Sequence, residues 1–367
     1  MHPAHPLLAV THPDPYPYYA ALAREQPLYW DKTLGLWVAS HPTAISAVMR
    51  HPAARVRPLT EPVPRGLCPG PAGELFSRFV RMNDSRLHTR IKTLLMAYLQ
   101  AQSQQACTPQ WPAITLLSAV QADRFLYAAP VHAQAAFLGL PDQLHADCAV
   151  QIQAYLTALP ANANADLIAA GHTAALTLQD RLESHLLAAE ASPALRQLRD
   201  DGARDGIPAA LLAANLAGLL FQSCEAGAGL LGNALILAGR RSLDASTTPA
   251  AARTVIDHVV RHDPPLHNTR RFMGNAIEIQ GQRIEAGQTV LLVLAAAAMI
   301  EPDNAWTFGA HGHACPGQTL ARSHAADALL HLLHAGTDAH ALASHFRYRP
   351  LLNARVPQFD FSKDHQP

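Results

Sequence analysis

Alanine- and leucine-rich stretches, separated by short polar or proline-rich segments, fill the middle of the chain. With few β-branched or aromatic residues among them, they read as helices. The pattern places helices over residues 113–121, 129–137, 145–159 and 165–189, with a break at Ala163-Asn164-Ala165-Asp166. A longer helix spans 209–237, another 251–262, and an apolar helical run covers 320–333. Towards the N-terminus the spacing predicts a short helix over 16–24, strands at 28–30 and 36–39 around a turn at Asp31-Lys32, and a helix over 43–50 behind His41-Pro42. Strand patterns return at 276–284 and 289–294, with a turn between them, and as pieces within 341–361. Proline and glycine make 57–75 a loop, and 200–208 reads as a second one.

Composition narrows the class. About half of the 367 residues are apolar, charged residues are few, and the formal net charge is zero. Such a chain buries a large core and has no general attraction for nucleic acid or anionic membranes. Its five cysteines (Cys68, Cys107, Cys148, Cys224 and Cys315) are scattered, odd in number and without paired spacing, which favours a reducing compartment. The opening residues lack the basic and apolar regions of a secretion signal, and apolar runs such as 209–220 are short or interrupted. The expectation is a cytoplasmic protein with no membrane anchor.

The densest chemistry lies in Phe308-Gly309-Ala310-His311-Gly312-His313-Ala314-Cys315-Pro316-Gly317. One cysteine sits in a glycine- and histidine-rich turn just before a helical run. Unpaired N–H groups and the helix dipole stabilise a thiolate there and make it a good metal ligand. Two other readings fit these residues alone. Cys315 could be a buried structural cysteine, or it could share a zinc ion with His311 and His313, although no second pair at finger spacing completes such a site.

The loop resembles the cysteine-ligand loop of the cytochrome P-450 (haem-thiolate) superfamily, F-G-x-G-x-H-x-C-x-G followed by L-A-R. Phe308, Gly309, His313, Cys315, Gly317, Leu320, Ala321 and Arg322 match, and His311 replaces the middle glycine. The resemblance extends along the chain. Asp84-Ser85-Arg86-Leu87-His88-Thr89-Arg90-Ile91-Lys92 is similar to D-P-P-x-H-T-R-x-R, with His88 and Lys92 one helical turn apart. Gly232-Asn233-Ala234-Leu235 resembles the end of the long central helix, and Thr269-Arg270-Arg271 precedes a matching strand block.

What this resemblance implies is a mainly α cytochrome P-450 fold with a small β-rich lobe, one domain over 1–367. Haem b would be ligated by the Cys315 thiolate, a strong electron donor that helps split the O–O bond. His88, Lys92, Arg271 and His313 would hold the propionates, with Phe308, Gly309 and Gly317 shaping the loop. The implied activity is oxidation of a small or medium organic substrate in biosynthesis. It would use O2 and electrons from a ferredoxin or flavodoxin with its NAD(P)H reductase.

Three departures qualify the activity. The pattern A-G-x-[DE]-T falls on Gln222, Ser223, Cys224, Glu225 and Ala226, so the acid is kept and the threonine hydroxyl is lost. Either the substrate supplies that hydroxyl, Gln222 or Ser223 holds a water, peroxide is the oxidant, or the chain is a non-oxygenating haem-thiolate enzyme. In the motif E-x-x-R, Arg261 is kept but His258 occupies the glutamate position. Between Met299 and Phe308 most of the usual meander is missing, and with it the third member of the Glu-Arg-Arg network. A degenerate haem-binding protein without catalysis is the remaining alternative.

Overall fold

The computed structural model describes residues 3–104, 109, 111–112 and 118–360. The chain opens with α1 (Pro6–Ala9), α2 (Tyr16–Glu25), the strands β1 (Leu28–Asp31) and β2 (Leu36–Ala39), α3 (Pro42–Arg50) and β3 (Ala54–Arg55). A helical stretch follows with α4 (Pro71–Arg78), α5 (Arg86–Gln102), α6 (Ala119–Phe137), α7 (His145–Thr157), α8 (Ala165–Leu187) and α9 (Pro193–Arg204). The long α10 (Ala209–Arg240) and α11 (Pro249–His262) lead to β4 (Thr269–Met273), β5 (Ile277–Ile279), β6 (Gln282–Ile284) and β7 (Thr289–Leu292). The last elements are α12 (Leu294–Ala298), α13 (Gln318–His334), α14 (Ala339–Ser344), β8 (Arg347–Tyr348) and β9 (Pro357–Gln358).

Two compact units emerge, one of residues 1–55, 113–127 and 225–367, the other of 56–112 and 128–224. In the first, a five-stranded sheet runs in the order β1-β2-β7-β4-β3. β2 pairs parallel to β7, and the other neighbours are antiparallel. Every residue of β2 is buried, and Val290 and Leu292 join Ile45, Val48 and Trp306 in one core cluster. This register sets Arg271 opposite Val290, so the arginine is fixed by a buried strand pair. The second unit is helical. Phe79 stacks on Phe221 with ring centroids 5.4 Å apart, and Tyr155 meets Phe221 edge-on.

Helix starts follow local chemistry. The Asn164 side chain accepts from the Leu167 N–H, Ser192 from Leu195 and Thr248 from Ala251, each satisfying a donor that the first turn leaves open. Proline explains the largest differences from the sequence expectations. The 57–75 loop ends at Gly70, because Pro71 takes the first position of α4, where its missing N–H costs nothing. Pro130 lies inside α6, which is one helix through 119–137 rather than two. Residues 113–117 of the expected first helix lie outside the described residues. α9 continues to Arg204, so only the end of the expected 200–208 loop is a connector. The 341–361 region opens in helix α14 before its strand pair β8–β9, and its last residue lies outside the described residues.

α10 is long and apolar enough by length and composition to cross a membrane, which the interrupted run 209–220 did not suggest. Its end is packed into protein. A side chain on Gly232 would collide with the Pro357 ring, and one on Gly229 would approach the Arg355 carbonyl oxygen to 2.8 Å. Glycine is therefore needed there for close approach, not for flexibility.

A buried charged hub ties the two ends of the first unit together. The Arg355 guanidinium donates from Nε to Asp263 Oδ1 at 2.8 Å and from Nη1 to the Val10 and His12 carbonyls, both at 2.8 Å. Nη2 donates to Pro13 O at 3.1 Å, and the group lies over the Tyr348 ring. The Tyr16 and Tyr348 hydroxyls donate to the Asp263 carboxylate. Arg355 is thereby enclosed in the interior of the first unit.

On α13, burial pulls the His324 imidazole down to about 4 from its ordinary 6.5. The folded state thus holds this histidine neutral, while the unfolded chain protonates it below about pH 6.5. Stability is then fully present above pH 6.5 and falls as the pH drops towards 4, by at most about 3 kcal/mol. Urea titrations of wild type and His324→Gln across that window should show a shallower acid slope in the variant; equal slopes would remove His324 as the cause.

Candidate functional site

The cysteine loop is built on two buried residues. Trp306 and Thr307 anchor a 3-10 turn, and Thr307 Oγ1 accepts the Leu266 N–H at 3.1 Å. Gly309 follows at φ +69°, where a Cβ would come within 3.2 Å of the His313 carbonyl oxygen. This position requires glycine. A second 3-10 turn, His311–His313, carries the chain round, and the Cys315 N–H donates to Phe308 O at 2.8 Å to close the loop. Gly317 then caps α13, whose first turn contains no acidic residue.

Cys315 is exposed at the positive end of a 17-residue helix. A Cβ on Gly317 would stand 4.0 Å from the sulfur, an ordinary contact distance. The buried structural cysteine is therefore excluded. The zinc reading fails too: among the described residues no group of three metal-ligating side chains converges. His311 is turned away to α3, where Arg50 Nε donates to its Nδ1 at 3.3 Å and Ser46 Oγ lies 3.3 Å from its Nε2. Burial, then the Arg50 charge, lowers its pKa, in keeping with a neutral ring that accepts a hydrogen bond. His311 occupies a left-handed backbone at φ +58°, a conformation that favours glycine, and the two α3 contacts hold it there.

The other candidates divide between the units. Arg271 lies buried on β4, donating from Nη1 to the Arg270 carbonyl at 2.8 Å, and His313 is half-buried in the cysteine loop. Both belong to the unit that contains Cys315. His88, buried, and Lys92, half-buried, lie one turn apart on α5 in the other unit. Phe308, Gly309, His313, Cys315 and Gly317 are brought together by the loop itself.

On α10 residues 212–218 and 228–236 are buried, yet Gln222, Ser223, Glu225, Ala226 and Gly227 between them are only half-buried around the fully buried Cys224. An otherwise enclosed helix thus leaves its middle turns partly open. Gln222 Nε2 donates to the Gly218 carbonyl at 2.9 Å, and Ser223 Oγ to the Leu220 carbonyl at 2.8 Å. Ser223 Oγ also lies 3.4 Å from the Pro130 carbonyl, and its one hydroxyl hydrogen is shared between these two backbone acceptors.

Comparison with family models and with curated proteins returns no match to the sequence. The fold and the loop geometry define a mainly helical protein that offers an exposed cysteine at a helix N-terminus. Solved structures sharpen this. The chain is similar to CalO2 (TM-score 0.70, 20% identity, 94% of each chain covered). It is similar to the cytochrome P-450 BioI solved with an acyl carrier protein bearing hexadec-9Z-enoic acid (TM-score 0.69, 18% identity, 94% of this chain and 96% of that one). It is also similar to the P-450 RauA solved with a biosynthetic intermediate of aurachin RE (TM-score 0.69, 20% identity, 97% and 96% covered). The fold is the cytochrome P-450 fold, mainly helical with a small β lobe.

Sequence reasoning did not find the roles of Arg50, Ser46 and Asp257 beside the loop. Their partners lie 65 to 265 positions away in the chain. A histidine in place of a loop glycine was the one available signal, since it demands outside support.

Proposed function

We propose that this chain is a haem-thiolate oxidoreductase of the cytochrome P-450 type, acting on a small or medium organic substrate in the cytoplasm. The observation that carries the reading is Cys315: exposed, preceded by a glycine-dependent turn, and at the N-terminus of α13 in a chain with this fold throughout. The donor set fits haem b, with one soft thiolate for the iron and cationic or hydrogen-bonding groups for two carboxylates. Cys315 would ligate the iron, and Arg271, His313, His88 and Lys92 would bind the propionates. When bound, the haem supplies activation of O2 or peroxide for substrate oxidation.

The residues of the chain tune that chemistry. Gly309 and the Phe308 carbonyl hold the Cys315 backbone so that its sulfur faces outward. Glu225 holds and delivers protons beside the open turns of α10, with electrons from a separate ferredoxin or flavodoxin and its NAD(P)H reductase. Reduced protein under carbon monoxide should give a strongly red-shifted Soret band; haem without that band would sink the thiolate assignment.

A second reading has its own observation. Ala226 has no hydroxyl, one Gln222 amide hydrogen goes to the Gly218 carbonyl, and the Ser223 hydroxyl donates to backbone carbonyls. That favours peroxide as oxidant, or chemistry that does not activate oxygen. Product formed with hydrogen peroxide, compared with NADH plus redox partners, separates the two. Under the O2 reading, Ala226→Thr should raise NADH-coupled product yield by up to about 100-fold, the contribution of one positioned proton donor. An unchanged yield beside strong peroxide turnover would favour the second reading.

A further inference from the structure

Among the described residues, the Glu-Arg-Arg network that the resemblance implies behind the cysteine loop is not formed. His258, in the glutamate position, accepts from Arg241 Nη2 at 3.3 Å and packs against His262 with the rings tilted and their centroids 4.4 Å apart. Arg261 reaches Asp303 at 3.5 Å, and both side chains are exposed. An ion pair in that setting holds little.

A different arginine stands against the loop. Arg322, on the second turn of α13, donates from Nη1 to Asp257 Oδ1 on α11 at 2.7 Å. Its guanidinium carbon lies 5.6 Å from the centroid of the Phe308 ring. That distance is within the reach of about 6 Å at which a cation is attracted to an aromatic face. Phe308 also supplies the carbonyl that receives the Cys315 N–H at 2.8 Å. Displacing Phe308 therefore displaces the backbone of Cys315.

We propose that Arg322, anchored by Asp257 and laid over Phe308, is the positioning residue that holds the Cys315 loop in place of the lost Glu-Arg-Arg network. The proposal rests on Cys315 being the haem ligand. Asp257 orients the guanidinium, and the planar cation then covers the ring whose backbone closes the loop. Arg322 Nε is buried without an acceptor, so the Asp257 contact and the ring define its direction. The ion pair itself is partly exposed, with Arg322 at 29% and Asp257 at 60%. Its loss should therefore alter the loop more than the fold.

The test uses the purified holoprotein and follows its ferrous carbon monoxide spectrum with time. Arg322→Gln should convert from the thiolate form to the displaced form about tenfold faster than wild type, with an unchanged urea midpoint. Asp257→Asn should move the same way, and the double variant should be no faster than Arg322→Gln. Arg322→Lys, which keeps charge but not the planar fork, should fall between. Conversion at the wild-type rate in every variant would overturn the proposal. If Arg322→Gln does not fold, Asp257→Asn carries the test, since that carboxylate is exposed. A wild type without a thiolate band would defeat the ligand assignment instead. Exchange of the Cys315 amide hydrogen then decides the inference: faster in Arg322→Gln supports it, and equal exchange rejects it.

Discussion

Arg355→Leu should lower the stability of the protein by about 3–5 kcal/mol, the cost of removing one partner from a buried ion pair. The side chain is 1% exposed and serves four acceptors: Asp263, Val10 O, His12 O and Pro13 O. Leucine fills much of the space but leaves three carbonyls without that donor and a carboxylate without its cation. The cluster has little slack. Tyr16 is pushed well above its ordinary pKa, first by burial and then by the Asp263 charge, so its hydroxyl stays a donor and cannot replace the arginine's charge. Asp263→Asn should cost less, because a neutral amide still accepts from Tyr16 and Tyr348. Because the arginine grips residues 10–13, the variant should also be cut faster by protease near its N-terminus. Equilibrium urea unfolding checks the magnitude, and a change below about 1 kcal/mol would show that the hub is not a stabilising element.

The same hub shows where sequence reading stops. Strand character in the β lobe was legible, since Ile277 and Ile279 alternate with an exposed glutamate, but the turn at Gln280-Gly281 that folds 276–284 into the β5–β6 hairpin was not. The cysteine loop was legible because a glycine, a cysteine and a following helix encode their own geometry. Arg355, by contrast, gives no local signal that it bonds carbonyls more than 340 residues upstream. Proline sits at two differences from the sequence reading, for two reasons. Its fixed φ breaks a helix in the interior but suits the first turn, as at Pro71, and α6 accommodates Pro130 within a well-packed helix. At the loop, the missing Glu-Arg-Arg network was visible from sequence, whereas its substitute was not. Asp257 and Arg322 are 65 positions apart, and only the packing of α11 on α13 brings them together.

On the proposed assignment of Cys315 as the haem ligand, Cys315→Ser should abolish the strongly red-shifted carbon monoxide band and lower substrate turnover by more than about 100-fold, the loss that removal of even an outer-shell partner of a metal ligand brings. The exchange of sulfur for oxygen is nearly isosteric, but a serine hydroxyl is a far poorer ligand for a soft metal centre than a cysteine sulfur. It therefore cannot donate electrons to the iron as a thiolate does. Nothing in the fold should respond. Cys315 is exposed, its backbone N–H to Phe308 O remains, and Gly309 and Gly317 are untouched, so the unfolding midpoint should stay within about 0.5 kcal/mol. Chemistry and stability thus separate at this position, the reverse of Arg355, where stability fails through a side chain remote from the loop. A serine variant that kept the band would require another ligand. His311 is poorly placed for that role, because Arg50 and Ser46 already hold both of its ring nitrogens.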